Sequence, residues 1–301
     1  MRTRARTFKF PLEAMKVERG GHLHISKASR LVGGNGLVAL YCDGSTTLTI
    51  SAGLCGLWCP LKGEVQFAEA GSRFAVSKRF IHVSDSNRPY EVEVQPSATC
   101  IAIIGSQITW SAINGFGADD QGDAPAVFPA LHAAAAATRR SVIAFARECL
   151  GDAPHQPSSR QISMLSALLR SLQQSFESLI ESCPGRTMAR RRSVFLRMQR
   201  TRMYIELYNS MDLDVSMLAH IANYSLGQFI KIFRQVFGET PHTYLARCRI
   251  EVAKMLLRSK TMMGVSDVAR AAGFASRSSF TRNMKQISGS SATELRESTS
   301  G

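Results

Sequence analysis

The sequence predicts an α+β protein in which a β-rich N-terminal part precedes helices and an all-α C-terminal part. Three observations support this fold class. Short β-branched or alternating segments occupy the chain up to about residue 105. Helical spacing of apolar residues replaces them after Pro125. In the last third, two stretches align with each other at an offset of about 50 residues, which indicates an internal repeat.

The predicted strands are short segments separated by Gly, Pro, Asn and Asp. They are LVALYCD, TTLTISA, EVQFAE, RFAVS, YEVEV and TCIAIIG. Segments of this kind at intervals of roughly 8–12 residues are typical of an antiparallel barrel or sandwich, and the pattern leaves both open. The polar stretch from Asn114 to Pro125 predicts a loop or linker at the end of a first domain, residues 1–125.

Two helical patterns follow in residues 126–185, namely LHAAAAATRRSVIAFARECL and the segment from Ser158 to Cys183. In the second, apolar residues repeat every seven positions in two series, which form a seam of about three heptads. The seam favours a homodimer contact, with packing of the helix onto its own domain as the alternative. The residues of this heptad seam are Ile162, Leu165, Leu169, Leu172, Phe176 and Leu179.

Positive charge is concentrated in the C-terminal third. The formal net charge is +14, and from Arg186 onward there are 19 Lys and Arg against 8 Asp and Glu. Such a region favours a polyanionic partner, nucleic acid before membrane, with a solvated basic surface as the alternative. No segment has the ~18 uncharged apolar residues of a membrane span, and the basic start lacks the apolar core of a secretory signal. Seven scattered cysteines fit a reducing cytoplasm better than a disulfide framework.

The two copies of the repeat, Leu218–Gly238 and Val268–Gly289, each predict a helix-turn-helix motif. Asn223 and Gly273 occupy the turns, and Asn and Gly are the residue types that most readily adopt positive φ. A serine suited to cap the second helix follows each turn, and pairs of apolar residues four positions apart fasten that helix to the body. These serines and apolar residues are Ser225, Ser276, Phe229, Phe233, Phe280 and Met284.

The segment between the copies, PHTYLARCRIEVAKMLLRSK, predicts a helix with Pro241 in its first turn. About 18 helical residues, each rising about 1.5 Å, span roughly 27 Å. With the motif bodies at either end, the two second helices would lie about one turn of B-DNA apart, near 34 Å. One chain would then reach two successive major grooves on one face of a duplex.

Four longer landmarks lie in the C-terminal third: F-R-x-x-x-G-E-T-P-x-x-Y-L at Phe233–Leu245, R-I-x-x-A-x-x-L-L at Arg249–Leu257, V-A-x-x-x-G-F-x-S at Val268–Ser276, and F-x-R at Phe280 and Arg282. In these landmarks the residues from about Arg190 to Glu297 resemble the AraC/XylS family of transcriptional regulators. Where that family ends in F-K-x-x-x-G-x-x-P-x-x-Y-R, this chain has Met, Ala and Leu for Phe, Pro and Tyr but keeps the Lys, Gly and final Arg.

The resemblance implies that residues 186–301 form a double helix-turn-helix domain that binds double-stranded promoter DNA. It also implies that residues 1–125 form a cupin-like barrel that senses a small-molecule effector. Such regulators are more often activators that touch RNA polymerase. The base-contacting positions of the family fall on Leu226, Gly227, Ile230, Lys231, Arg277, Ser278, Thr281 and Arg282.

The two sets of base-contacting residues differ in chemistry. In the first, Lys231 alone can address a guanine, with Gln228 adjacent, while Leu226 and Ile230 suit thymine methyl groups. In the second, Arg277 and Arg282 can each grip a guanine bidentately, with a phosphate or intradomain contact as the alternative. Lys285 and Arg234 are expected to contact phosphate or to be solvated.

A metal site is a rival interpretation of the N-terminal histidines. His22 and His24 lie on one face of a strand, like half of a cupin metal site. A metal centre needs three or four ligands, and Ala28 and Ser29 occupy the stretch where a Glu is expected. The sequence therefore predicts two surface histidines and no metal.

A reactive cysteine site is the second rival. Cys55 and Cys59 have a spacing found in DNA-repair regulators that accept methyl groups, but the C-x-x-C partner is lacking and Cys42 and Cys100 stand alone. The prediction is buried thiols, with a redox sensor as the alternative. No G-x-S-x-G, Walker loop or pair of catalytic carboxylates is found, so no enzymatic activity and no cofactor are predicted. An enzyme with an accessory DNA-binding domain and a non-specific architectural DNA-binding protein remain the alternative functions.

Overall fold

The chain forms two compact units in the computed structural model. The N-terminal unit consists of residues 1–181 and 185–196, and the C-terminal unit of residues 182–184 and 197–301. All described strands lie in the first unit, and the described secondary structure of the second is helical, which confirms the predicted α+β fold class. The structure describes residues 10–26, 35–69, 72–85, 87–114, 126–149, 155–259 and 263–300. The predicted linker between Asn114 and Pro125 lies outside these residues except at Asn114.

The strands of the N-terminal unit form two sheets. One has six strands in the order β1-β3-β10-β5-β8-β11, and the other five in the order β2-β4-β9-β6-β7. Among the described ladders only β1–β3 and β2–β4 are parallel. The strands are Leu12–Val17 (β1), His22–Ile25 (β2), Leu37–Asp43 (β3), Thr46–Ile50 (β4), Leu54–Lys62 (β5), Glu64–Glu69 (β6), Ser72–Ser77 (β7), Phe80–Val83 (β8), Tyr90–Val94 (β9), Thr99–Ser106 (β10) and Ala130–Ala133 (β11).

The six-stranded sheet is buried on both faces. One face packs against the five-stranded sheet through side chains such as Leu40, Trp58 and Phe67. The other face packs against helices through residues such as Leu57 and Ile103. This arrangement explains why β5 was not predicted: seven of its nine residues are buried in succession, so the strand lacks the alternation that marks a half-exposed strand.

One prediction is wrong at the start of the helical region. The sequence predicts a helix over the segment LHAAAAATRR, but Ala130–Ala133 form β11, which pairs antiparallel with β8. The helix begins only at Ala136. Pairing with a sheet edge therefore overrides the helix propensity of the alanine run, as tertiary contacts commonly do. The helices of this unit are Gln107–Ile113 (α1), Ala136–Cys149 (α2), Ser159–Gln173 (α3) and Glu177–Glu181 (α4), with a 3-10 turn at Gln174–Phe176.

The heptad seam lies largely inside the N-terminal unit. Leu165 and Leu169 are each 1% exposed, and Leu172 and Phe176 are each 5% exposed. The three leucines belong to the core between the six-stranded sheet and the helices, and Ile162 packs against it. The 3-10 turn also interrupts the helix before Leu179. These contacts favour intradomain packing of the seam, and dimerisation of the chain stays a prediction.

Helix α5, Met188–Tyr208, contains the boundary between the units at residues 196 and 197. The C-terminal unit continues with Val215–Ala222 (α6), Leu226–Phe237 (α7), Pro241–Arg258 (α8), Val265–Ala271 (α9), Arg277–Ser288 (α10) and Ala292–Ser300 (α11). Pro241 is the first residue of α8, as the sequence predicts, and Thr240 caps this helix. Within the described ranges, no helix is long and apolar enough to cross a membrane.

Candidate nucleic-acid interface

Helices α6 and α7 form the first predicted helix-turn-helix motif. Asn223 ends α6 in the left-handed conformation, with φ of 56°. The backbone N–H of Tyr224 donates to the carbonyl oxygen of Ala219 at 3.1 Å, which closes the turn. The Ser225 hydroxyl then accepts from the N–H of Gln228 at 3.4 Å and caps α7. The predicted turn and cap residues are confirmed.

Helices α9 and α10 repeat this geometry. Gly273 has φ of 85°, and the N–H of Phe274 donates to the carbonyl oxygen of Ala269 at 3.0 Å, at the position equivalent to the first turn. The Ser276 hydroxyl accepts from the N–H of Ser279 at 3.2 Å and caps α10. The repeat in the sequence is therefore also a repeat of backbone hydrogen bonds.

One face of each second helix is fixed in the core. Phe229 and Phe233 of α7, like Phe280 and Met284 of α10, are fully buried. The rings of Phe229 and Phe233 lie 5.5 Å apart. Since helical residues four positions apart share a face, burying these pairs directs the opposite faces of α7 and α10 outward.

The outward faces carry the predicted base-contacting residues. In α7 Ile230 is partly buried and Leu226 is 44% exposed. Within the described part of the chain, the side chains of Arg277, Arg282 and Lys285 form no hydrogen bond or ion pair, so they are available to a partner. The exposed members of the predicted set are Leu226, Gly227, Gln228, Lys231, Arg277, Ser278, Thr281, Arg282 and Lys285.

Comparison with known proteins agrees with this geometry. A family profile described as "Helix-turn-helix domain" matches residues 218–298, which include both motifs and α8. These residues form an AraC-type domain. A relative from Photobacterium leiognathi, "Probable transcriptional regulator LumQ", is 34% identical over 90 residues, or 30% of this chain. The match spans 36% of that relative's length.

Several solved structures are similar to part or most of the chain. The C-terminal domain of AraT, a response regulator from Geobacillus stearothermophilus, is 26% identical with a TM-score of 0.32, and the match covers 34% of this chain and 84% of that one. The DNA-binding domain of AdpA in complex with a target DNA is 25% identical with a TM-score of 0.32, covering 34% and 91%. ToxT from Vibrio cholerae is 9% identical with a TM-score of 0.31, covering 86% and 97%.

Several basic residues of the AraC-type domain and of the helix before it form hydrogen bonds or ion pairs within the protein. The Arg202 guanidinium donates to Glu206 at 3.0 Å and to the Tyr244 hydroxyl at 2.9 Å. Tyr244 donates in turn to Glu206, and burial, followed by the Glu206 charge, raises the Tyr244 pKa above its usual range. Arg247 pairs with Glu239 at 2.7 Å. The charge count in the sequence therefore overstates the number of cations that are available to DNA.

An open depression of about 580 Å³ lies beside α7 in the AraC-type domain. It is lined by Gly227, Ile230, Lys231, Arg234, Gln235 and Thr240. Two cations thus flank an apolar side chain at the surface where the first motif would meet a partner. In α10 the Thr281 hydroxyl donates to the Arg277 carbonyl oxygen at 2.9 Å, so this side chain can offer its methyl group and an acceptor but has no free proton to donate.

The two histidines of the rival metal interpretation lie on one strand of the N-terminal unit. His22 and His24 are exposed on β2, and His24 is within 3.1 Å of the Ser51 hydroxyl. Among the described residues, no three His, Cys, Asp or Glu side chains are grouped so that they could hold a metal.

The cysteines of the N-terminal unit are buried thiols. Cys55 and Cys59 are 1% and 0% exposed. Burial raises the pKa of Cys59 to about 11 and that of Cys42 to about 12, so little thiolate forms at neutral pH. Cys42 and Cys100, which are isolated in the sequence, are direct cross-strand neighbours on β3 and β10. Their burial favours packing over the redox alternative.

Proposed function

We propose that the chain is a cytoplasmic transcription regulator that places α7 and α10 in successive major grooves of promoter DNA. The observation that carries the proposal is the repeated motif, in which each second helix is fixed by buried residues on one face and bears exposed side chains on the other. A groove of B-DNA admits one such helix, and base edges there distinguish all four base pairs. The similarity to the Photobacterium leiognathi protein that is named as a probable transcriptional regulator supports the same function.

The two motifs are proposed to contribute unequally to specificity. Helix α7 offers Leu226 and Ile230, which suit thymine methyl groups, and Lys231. Helix α10 offers Arg277 and Arg282, which match the O6 and N7 acceptors of guanine. The second motif is therefore expected to impose the sharper base preference, at a G·C pair.

Selection of bound sequences from random duplex DNA by the full chain tests this function. A regulator enriches one site with two parts about one helical turn apart. Equal affinity for random and enriched duplex would instead indicate the architectural alternative. Under both interpretations the affinity for DNA should fall steeply as the salt concentration rises, because Lys and Arg displace counterions from phosphates.

Regulation is proposed to come from the N-terminal unit, through a small-molecule effector or through homodimer formation. Side chains such as Trp58, Phe67 and Tyr90 occupy the space between the two sheets. A depression of about 200 Å³ outside the sheets, where Phe128 and Leu169 meet Arg170 and Arg192, offers a more accessible place for an effector.

Footprints at the selected site with and without candidate effectors would test sensing. Transcription of a promoter carrying that site by purified RNA polymerase would test activation.

Arg277→Ala is expected to weaken binding to the selected site by about 1–3 kcal/mol and to relax the preference at one or two base pairs, because a bidentate contact with guanine is lost. Lys285→Ala is the matched comparison in the same helix. Loss of the Lys285 charge should weaken binding to all DNA sequences equally, and it should lower the slope of log binding constant against log salt concentration by roughly one unit. Selection from random duplex with both variants measures this. An even loss of affinity with unchanged preferences in Arg277→Ala would assign Arg277 to phosphate.

Gly227→Ala is expected to stabilise the free protein but to weaken DNA binding. Gly227 is the second residue of α7, and an added methyl group would meet no atom within 4 Å. Alanine favours a helix over glycine by roughly 0.5–1 kcal/mol. A glycine at this exposed position allows close approach of the backbone to DNA, so the methyl group should cost about 1 kcal/mol or more in the complex. Thermal unfolding and DNA titration measure the two effects, and unchanged affinity would show that α7 does not approach DNA closely here.

A further inference from the structure

Arg249, a half-buried residue of α8, joins three parts of the C-terminal unit. Its Nε donates to the carbonyl oxygen of Asn209 at 2.7 Å, and its Nη2 donates to that of Met211 at 2.9 Å. Both carbonyls belong to the segment between α5 and α6, which leads into the first motif. The guanidinium also lies over the ring of Phe274, 5.9 Å from its centre. Phe274 belongs to the turn of the second motif.

The turn of the second motif lies directly against the same segment. A Cβ atom built on Gly273 would be 2.7 Å from the carbonyl oxygen of Asn209 and 2.8 Å from the Cα of Ser210. It would also be 3.0 Å from the Nε of Arg249. The backbone of the second turn therefore lies so close to the segment between α5 and α6 that no side chain larger than glycine's hydrogen fits at residue 273.

Helix α8 joins the two motifs along the chain. The contacts of Arg249 and Gly273 connect the motifs a second time, through space. We propose that Arg249 and Gly273 form a latch that sets the separation of α7 and α10, and thereby the number of base pairs between the two parts of the DNA site. Arg249 is a positioning residue in this proposal, because it acts through the placement of α10. The proposal rests on the proposed DNA-binding function.

The required precision explains why a latch is useful. One base pair corresponds to about 3.4 Å along a strand of DNA. A displacement of α10 by roughly half that distance would leave its side chains between base pairs. Helix α10 begins at Arg277, three residues beyond Phe274, so movement of the turn is carried directly into the helix. Burial lowers the pKa of Arg249, with the Asp212 charge opposing it, and the two carbonyls replace the lost hydration of the cation.

The test is the binding of full-length protein to duplexes that carry the selected site with one base pair inserted or deleted between its two parts. The parent protein should prefer the selected spacing by about tenfold or more, on the scale of a mismatched base pair. Arg249→Met, which keeps the bulk of the side chain but loses both hydrogen bonds, should reduce this ratio to about threefold or less. Arg249→Lys, which cannot span two carbonyls with the same geometry, should give an intermediate ratio.

Arg247→Met is the matched control, since Arg247 lies on the same helix but pairs with Glu239. It should leave the spacing ratio unchanged even if overall affinity falls. If Arg249→Met does not fold, as judged by far-UV circular dichroism, Arg249→Lys decides the question alone. A parent-like ratio in a folded Arg249 variant overturns the latch and leaves the proposed function intact. A parent protein that selects no site at all overturns the proposed function, and the latch with it.

Discussion

Leu165→Glu is expected to unfold the N-terminal unit at neutral pH, at a cost of about 4 kcal/mol or more. Leu165 is 1% exposed and lies in the core between the six-stranded sheet and the helices. A carboxylate there would be buried among apolar side chains. Both tryptophans of the chain, Trp58 and Trp110, lie in this unit, so tryptophan fluorescence during urea unfolding reports on this unit alone.

Ser163→Glu is the control for this experiment, because Ser163 lies on α3 but is exposed. Its unfolding midpoint should remain close to that of the parent. Sedimentation velocity separates the two explanations of the heptad seam. If Leu165→Glu stays folded and converts a dimeric parent into a monomer, the residue belongs to a dimer interface and the intradomain explanation is wrong.

The sequence predicts the structure best where a residue type is suited to one local backbone conformation. Three of the predicted strands, at Leu37–Asp43, Glu64–Glu69 and Tyr90–Val94, have the observed bounds. The turn residues Asn223 and Gly273 have positive φ, since few other residue types tolerate that conformation. In these cases the local sequence and the tertiary structure favour the same conformation.

The sequence was least informative where a neighbour distant in the chain decides the outcome. Leu54–Lys62 was not predicted as a strand, because burial on both faces removes its periodicity. Ala130–Ala133 has alanine-rich surroundings but pairs antiparallel with β8 and forms the last strand of the six-stranded sheet. The seven-residue repeat of α3 correctly indicates a buried face but does not identify what covers it.

The same limit applies to the candidate site. The exposed faces of α7 and α10 followed from the repeat, because the buried pairs determine which side points outward. Counting charges in the sequence does not distinguish the basic residues that pair within the protein from those that are available to DNA. Arg249 was visible only as part of a family landmark, and its two carbonyl partners lie about 40 residues earlier in the chain.

The two turns of the repeat differ in a way that the structure explains. Asn223 and Gly273 occupy equivalent positions, with φ of 56° and 85°. Asn223 is exposed, so its side chain projects into solvent. At Gly273 the equivalent space is filled by the backbone of Asn209 and Ser210. Glycine is therefore needed in the second turn for space as well as for φ.

Gly273→Ala is expected to destabilise the C-terminal unit by about 3 kcal/mol or more. Positive φ costs an alanine roughly 1–2 kcal/mol, and the contact of its methyl group with backbone atoms adds about 1–3 kcal/mol. Gly289→Ala is the matched control, because Gly289 has φ of 74° but no atom within 4 Å of an added Cβ. It should show only the first cost. Urea unfolding followed by far-UV circular dichroism, which is sensitive to the helical unit, measures both.

Gly273→Asn separates the two causes more sharply. Asparagine tolerates positive φ, as Asn223 does in the first turn, so most of the conformational cost disappears while the steric cost remains. The variant should therefore still be destabilised, by roughly the 1–3 kcal/mol of the steric cost alone. The reciprocal change, Asn223→Gly, should cost well under 1 kcal/mol, because glycine adopts the same φ and no packing is lost. A Gly273→Asn variant as stable as the parent would show that the second turn can move away from Asn209, and the spacing of the two recognition helices would then depend on α8 alone.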